Sequence, residues 1–407
     1  MTINVKQLGK ITRFNGVDIS QMRYYIKISN RTSILKMLSK HPWIQNEPTT
    51  TIKILMKSEA SYQSLLETQP STTPAEIANL EEKMGFGYHH AIGELIYALV
   101  TCHPDISYAV IKLSQYLTKP SRIHFEALKN IYRYLNQTMD NGIHYWRKHP
   151  CMDLQKVPFL SCPQDPSYDD TTIPTCHNHS IDKMFGVVDS EYTGDTLHCR
   201  SVTDIALRLA SGTIMYKSKF QESIALSSTE AKFIAAAEAG KHILYTRSIL
   251  EEIGIEQEAA TILYEDNQGA LLMANTQQPT KQTHHMDIKH FILQQWVEND
   301  IIHLRRITTN DNFADALTKA NGRINFQQHM SYILGKHPPQ YTAQSILTTL
   351  LSAGDKSLQT NTGGYHTDIQ RSGNNIKPRS QYLTMDCVEV QIARAPPSEK
   401  KVQKWVN

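Results

Sequence analysis

Between Met184 and Thr318 the apolar pattern changes its period several times, and that succession constrains the fold more than any other feature of the chain. Met184 to Val188 is a short apolar run that ends abruptly on Asp189. Asp204–Leu209 and Thr213–Lys217 alternate, and Gly212 between them predicts a hairpin turn. Residues 228–253 place Phe233, Ala236, Ala237, Gly240, Ile243 and Leu244 on one helical face, with Gly254 as the C-terminal cap. Thr261–Tyr264 reads as a strand, Gln268–Asn275 as a short helix and Ile288–Val297 as a helix. Ile301–Leu304 is another strand, and a last helix begins near Asn312. Three strands, a helix, a strand, helices, a strand and a helix predict an α/β unit: a mixed five-stranded sheet flanked by helices.

The flanking sequence differs in kind. Residues 1–44 hold two strand-like runs with turns at Asn15-Gly16 and Ser20-Gln21, then a helix-like stretch with Ile34, Leu35 and Leu38 on one face. That is too little to bury a core and reads as the end of a larger domain. Residues 45–80 are polar, rich in Thr, Ser, Gln and Pro, and read as a linker. Residues 81–150 are helical in pattern, with stripes at Leu95, Ile96, Leu99 and Val100, at Val110, Leu113 and Leu117, and at Leu128, Ile131, Tyr132 and Leu135. Residues 151–182 form an irregular insert. Its Cys162, Cys176, His177 and His179 lack a compact zinc-ligand spacing. Residues 342–407 turn to Gly, Ser, Thr, Asn and Gln with a Lys-rich end, the composition of a disordered tail.

Composition narrows the setting. The six cysteines form no C-x-x-C pair, which fits a reducing compartment, and the N-terminus lacks a signal-peptide core. No run reaches the roughly 18 apolar residues of a membrane span, so an intracellular protein with no membrane partner is expected. A net charge of +3 permits a polyanionic partner without demanding one.

Four acids stand at the ends of elements of the mixed sheet: Asp189, Glu230, Asp266 and Asp315. Each has a local explanation. Glu230 stands three residues after Ser227, as in a capping box. Asp266 precedes a helix and could cap it. Asp315 sits in a first helical turn, and Asp189 ends a strand. Their convergence on one sheet is the stronger explanation. Carboxylates so gathered repel unless a cation joins them. Hard oxygen ligands favour magnesium or manganese, and two such ions can activate a water against a phosphodiester. Without a metal, replacing Asp266 by Asn is expected to relieve repulsion and stabilise the fold.

Six motifs occur in order: Val188-Asp189-Ser190-Glu191-Tyr192-Thr193-Gly194-Asp195, Lys217-Ser218-Lys219-Phe220-Gln221, Leu226-Ser227-Ser228-Thr229-Glu230-Ala231, Glu265-Asp266-Asn267-Gln268-Gly269-Ala270, His285-Met286-Asp287-Ile288-Lys289 and Ala314-Asp315-Ala316-Leu317-Thr318-Lys319. In their order and spacing, residues 183–341 resemble the ribonuclease H domain of copia-type LTR retrotransposon Pol polyproteins. Residues 81–150, with Gly93-Glu94-Leu95-Ile96-Tyr97, His103-Pro104-Asp105-Ile106-Ser107-Tyr108-Ala109 and Tyr134-Leu135-Asn136-Gln137-Thr138, resemble the helical segment connecting polymerase to ribonuclease H. Residues 8–43 resemble the end of the reverse transcriptase.

The resemblance implies a ribonuclease H-like fold, preceded by a small helical connection subdomain and a reverse-transcriptase remnant. It implies Asp189, Glu230, Asp266 and Asp315 as catalytic, metal-binding carboxylates for two Mg2+ ions, with Mn2+ as a substitute. The implied substrate is the RNA strand of an RNA–DNA hybrid. Lys217, Lys219, Ser228, Asn267, Gln268, His285, Lys289 and Lys319 are the implied contacts to the nucleic acid backbone. Other products of the same polyprotein are further partners, in a cytoplasmic virus-like particle or the nucleus. Some positions depart from the family pattern: Glu191 for a usual Asp, His284 for Lys, Phe291 for His and His103 for Arg. No Tyr-x-Asp-Asp polymerase motif occurs, so DNA synthesis is not expected, and the chain reads as a truncated element copy. Two alternatives stand: a catalytically silent nucleic-acid-binding remnant, and a DNA-cutting integrase or transposase. The latter needs a Glu well beyond its second Asp. Glu298 lies 32 residues past Asp266, but Asp315 in its matched motif fits better.

Overall fold

The computed structural model describes residues 11–22, 24–44, 55, 73–148, 180–195, 199–275 and 292–337. Residues 151–179 of the insert, the tail at 342–407, and His284, His285, Lys289 and Phe291 lie outside them. The strands are β1 Arg13–Phe14, β2 Val17–Gln21, β3 Tyr25–Ser29, β4 Ile143–Trp146, β5 Phe185–Asp195, β6 Arg200–Leu209, β7 Gly212–Phe220, β8 Thr261–Glu265 and β9 Ile302–Arg306. The helices are α1 Arg31–Leu38, α2 Pro74–Met84, α3 Tyr88–Thr101, α4 Ser107–Ser114, α5 Arg122–Thr138, α6 Ser228–Glu252, α7 Gln268–Asn275, α8 Ile292–Glu298, α9 Asp315–Thr318 and α10 Arg323–Ile333.

The larger sheet has the order β7-β6-β5-β8-β9. β5, β6 and β7 are antiparallel neighbours, while β8 runs parallel to β5 and β9 parallel to β8. This is the mixed five-stranded sheet expected from the pattern. Its two faces follow the two-residue alternation of the strands. Met184, Val188, Ile205, Leu207 and Leu263 face Ala235, Ala236, Ala239 and Ile243 of α6. Phe185, Val187, Ala206 and Tyr264 face Phe313, Ala314, Leu317 and Ile333. Fully burying a Val or Leu contributes about 1.5–3 kcal/mol, so the β5–β6 pair anchors both layers.

α6 is capped where its sequence says. The Ser227 hydroxyl accepts from the Glu230 amide, and Gly254 takes the left-handed conformation (φ 81°) just past the helix. Its first half is buried on every side: Ala231, Lys232, Phe233, Ile234, Ala235, Ala236 and Ala237 are all interior. Small residues permit this close approach. Gly186 leaves room for side chains of the neighbouring strands: a Cβ there would come within 2.8 Å of Leu207 and 3.0 Å of Leu263.

The hairpin turn falls on Ala210 and Ser211, both at positive φ (52° and 60°), and not on Gly212. Gly212 begins β7, where a Cβ would strike the His144 carbonyl at 2.4 Å. Glycine is needed there for the approach of β4. That strand was hidden at the end of a stretch with helical pattern. It pairs with β3 to complete a four-stranded antiparallel sheet, β1-β2-β3-β4. Ser20 and Gln21, read as a turn, lie within β2, whereas Asn15-Gly16 makes the β1–β2 turn. α2 starts inside the stretch read as linker. Its signal is Thr73-Pro74-Ala75-Glu76, a complete capping box with Pro in the first turn.

β4 ties the sheets together. Its His144 amide donates to Leu334, and the Trp146 amide to Ala210. α1, α3, α4 and α5 share one core around Leu95, Val110, Phe125, Leu128 and Leu135, onto which Tyr216 of β7 packs. α4 lies against α9. There Lys112, only 2% exposed, pairs with Glu191 of β5 at 3.0 Å. Among the described residues no helix is long and apolar enough to cross a membrane.

Candidate active site

Asp189 sits on β5 just past the last residue paired with β8, and β8 ends on Glu265 beside Asp266. The strands thus deliver these acids to one edge of the sheet. α9 brings Asp315 to the same place. Asn312 holds that approach: its amide side chain donates to the Val188 carbonyl at 3.0 Å, and its Oδ1 accepts from Ala314 at 3.2 Å.

Two lysines bind these acids together. The Lys232 ammonium donates to Asp189 Oδ1 at 2.5 Å and to Asp266 Oδ1, and lies 3.6 Å from Glu265 Oε1. The Lys319 ammonium donates to Asp315 Oδ1 at 2.7 Å and lies 3.0 Å from Asp189 Oδ2. Asp189, 0% exposed, therefore gives one oxygen to each lysine. Asp266 also accepts from the Thr309 hydroxyl at 3.1 Å. Its expected role as a helix cap belongs to its neighbour: Asn267 Oδ1 accepts from the Ala270 amide at 2.9 Å. Glu265 Oε1 accepts the amides of Asp266 and Asn267, which fixes the turn.

Glu230 is buried at the start of α6. Its carboxylate accepts the Leu226 amide at 2.7 Å while its own amide donates to Ser227 Oγ. The carboxylate reaches back to the residue before the N-cap Ser227, so the reciprocal bond expected of a capping box goes to Leu226 instead. Among the described residues, no three His, Cys, Asp or Glu side chains converge as ligands of one metal ion. The acids that do come together, Asp189, Asp266 and Asp315, are joined through ammonium groups, and Asp189 and Asp315 also share a direct side-chain hydrogen bond.

The electrostatics follow from burial and these pairs. Burial pushes the Asp189 carboxyl up, but Lys319 and Lys232 more than offset it and hold it below the usual carboxylate range. Burial and then the charge of Asp189 raise Asp315. Burial likewise raises Glu265 well above its usual value, against the pull of Lys232. Both lysines lose hydration on burial, yet their acids keep them charged.

The remaining expected contacts divide by position. Asp189, Asp204 and Ser218 share one cross-strand row, and Lys219, one step on, takes the opposite face of the sheet from that row. Lys219 pairs with Glu222 at 3.1 Å, and Ser228 and Gln268 are exposed. Lys217 turns to α6, where it meets Glu238 at 3.1 Å and His242 at 3.0 Å. His285 and Lys289 fall outside the described residues.

Three participants escaped the sequence reading. Lys232 had a visible signal: a lone cation amid Ala231, Phe233 and Ile234 in a buried helix must find a carboxylate. Glu265 is masked by its neighbour Asp266. Asp204 lies directly across from Asp189 on β6 and is fully buried. Burial drives its carboxyl well above the usual range, Ser218 opposes this, and Asp189 and Glu191 add to it. Only strand register reveals that pairing.

No protein-family model matches the chain. It is 28% identical over 328 residues, 80% of its length, to the retrovirus-related Pol polyprotein from transposon TNT 1-94 of Nicotiana tabacum, covering 22% of that protein. It is 28% identical over 330 residues, 81% of its length, to the retrovirus-related Pol polyprotein from transposon RE1 of Arabidopsis thaliana, covering 19%. The same holds for that from transposon RE2 of Arabidopsis thaliana: 28% over 325 residues, 80% of this chain and 19% of the relative. The chain thus spans about a fifth of the length of these relatives. Over about four fifths of its own length it is a relative of the retrovirus-related Pol polyproteins of copia-type transposons.

Proposed function

We propose that residues 183–341 form a ribonuclease H-like module that hydrolyses the RNA strand of RNA–DNA hybrids. One observation carries this reading: Asp189 shares its two oxygens between two cation positions, one completed by Asp266 and the other by Asp315. A carboxylate common to two cations at the edge of a β7-β6-β5-β8-β9 mixed sheet is what two-ion phosphodiester chemistry requires. The donor set of Asp189, Asp266 and Asp315 therefore fits hard divalent ions, while the Glu230 carboxylate accepts the Leu226 amide. Bound there, Mg2+ or Mn2+ would supply Lewis-acid stabilisation of the phosphodiester oxygens.

The residues of the chain do the rest. Asn312 and Glu265 fix the loops that carry Asp315 and Asp266. By the resemblance, Lys219, Ser228 and Gln268 would contact the phosphate backbone, and the 2′-hydroxyl would distinguish RNA from DNA. The test is incubation of the whole chain with a labelled hybrid and a matching DNA duplex, with magnesium or chelator. Cutting of the RNA strand alone, dependent on magnesium, is expected. Equal cutting of both duplexes would overturn the reading.

A second reading keeps the fold and drops the chemistry: a hybrid-binding remnant. The engagement of Glu230 and Lys232 favours it. Retarded migration of the hybrid without strand scission in any divalent metal would select it.

A further inference from the structure

Lys232 and Lys319 both neutralise acids of the site, but they are held differently. Lys319 follows the four-residue α9, and its side chain is 34% exposed. It can swing into water on its long flexible stem. Lys232 stands in the second turn of the 25-residue α6, within a run of buried residues, and its side chain is 11% exposed. Its ammonium faces Asp189, Asp266 and Glu265 at once. It has no comparable route out, because its helix is packed against the sheet and its stem against the interior.

We infer that Lys232 is a built-in cation that holds the Asp189–Asp266 position and restrains divalent-metal binding there. The inference rests on reading Asp189, Asp266 and Asp315 as a metal-ion site. An ion entering between Asp189 and Asp266 must take carboxylate oxygens that already accept charge-assisted hydrogen bonds. It must also leave a positive charge buried beside a double one, with Glu265 as the further acid beside them. The Lys319 side lacks this restraint. The chain therefore takes one divalent ion readily, between Asp189 and Asp315, and a second only weakly.

The experiment is Mn2+ binding to the whole chain by calorimetry and by the paramagnetic resonance of free Mn2+. Three proteins are compared: the parent, Lys232→Gln and Lys232→Arg. Lys232→Gln should gain a site at least about tenfold tighter than the weak site of the parent, the equivalent of one charge-assisted hydrogen bond removed. Lys232→Arg keeps the charge and should bind as the parent does. Identical isotherms for the parent and Lys232→Gln overturn the inference. If Lys232→Gln is unfolded in chelator, Mn2+ should restore its melting transition, and failure to restore it at any Mn2+ concentration also overturns the inference. Hybrid cleavage is measured alongside. A gain in Mn2+ affinity with no cutting by any protein sinks the ribonuclease reading and leaves the role of Lys232 standing. Cutting with unchanged isotherms does the reverse.

Discussion

Replacing Asp266 by Asn should destabilise the metal-free chain. Carboxylates gathered in one place predict the opposite, because removing one charge ought to relieve repulsion. The structure reverses the sign by placing the Lys232 ammonium between Asp266 and Asp189. Breaking a buried pair costs about 3–5 kcal/mol when the remaining charge is left alone. Lys232 is not left alone, since Asp189 stays at 2.5 Å and Glu265 at 3.6 Å, and the amide oxygen of the substituted side chain can still accept. The Asp266 side chain is 8% exposed, so the pair is only slightly screened. The loss should be about 1–2 kcal/mol, which lowers Tm by about 2–8 °C for a unit of 150–250 residues. The assay is urea and thermal unfolding of parent and variant in chelator. A variant that melts higher would mean that repulsion dominates and that Lys232 is not the counter-ion of this acid.

Three further outcomes follow from particular contacts. Asp204, Glu265 and Asp315 have raised native pKa values, so the fold retains protons that the unfolded chain releases above about pH 4. Their contribution is complete below that pH and is lost as pH rises through the native values. Stability falls by about 1.4 kcal/mol per pH unit for each such proton, and Asp204→Asn should remove one share of that slope in urea unfolding from pH 5 to 7; an unchanged slope refutes it. Gly186→Ala forces a Cβ to 2.8 Å from Leu207 and should cost about 1–3 kcal/mol by overpacking, read as a lower urea midpoint. Lys112→Ala leaves Glu191 without its ammonium at the junction of α4 and β5 and should cost about 1–3 kcal/mol. Faster amide exchange in α4 would accompany it, and unchanged exchange would show that the pair does not secure the helix.

Much of this was legible in the sequence, because the governing signals were local. Five strands and the long α6 follow from periodicity, and Ser227 and Gly254 mark its ends. The acids Asp189, Asp266 and Asp315 stand out at the ends of elements: Asp189 ends an apolar strand, Asp266 precedes a helix and Asp315 sits in a first helical turn. What stayed hidden depends on long-range geometry. β4 is four residues long and owes its identity to β3 and to Leu334, far away in sequence. Gly212 looks like a turn glycine, but its reason is the carbonyl of His144. Asp204 meets Asp189 only through strand register. The sequence also says nothing of which way a carboxylate turns: Glu230 reaches back to the Leu226 amide while Asp266, read as a cap, leaves that task to Asn267.

The most direct test of the account is an anomalous-scattering map from crystals of the chain soaked in Mn2+. The account predicts manganese bound by Asp189 together with Asp315, with the Lys319 ammonium displaced, and a second peak against Asp189 and Asp266 once Lys232 is replaced by Gln. Manganese bound elsewhere, with both ammonium groups still on Asp189, would contradict it.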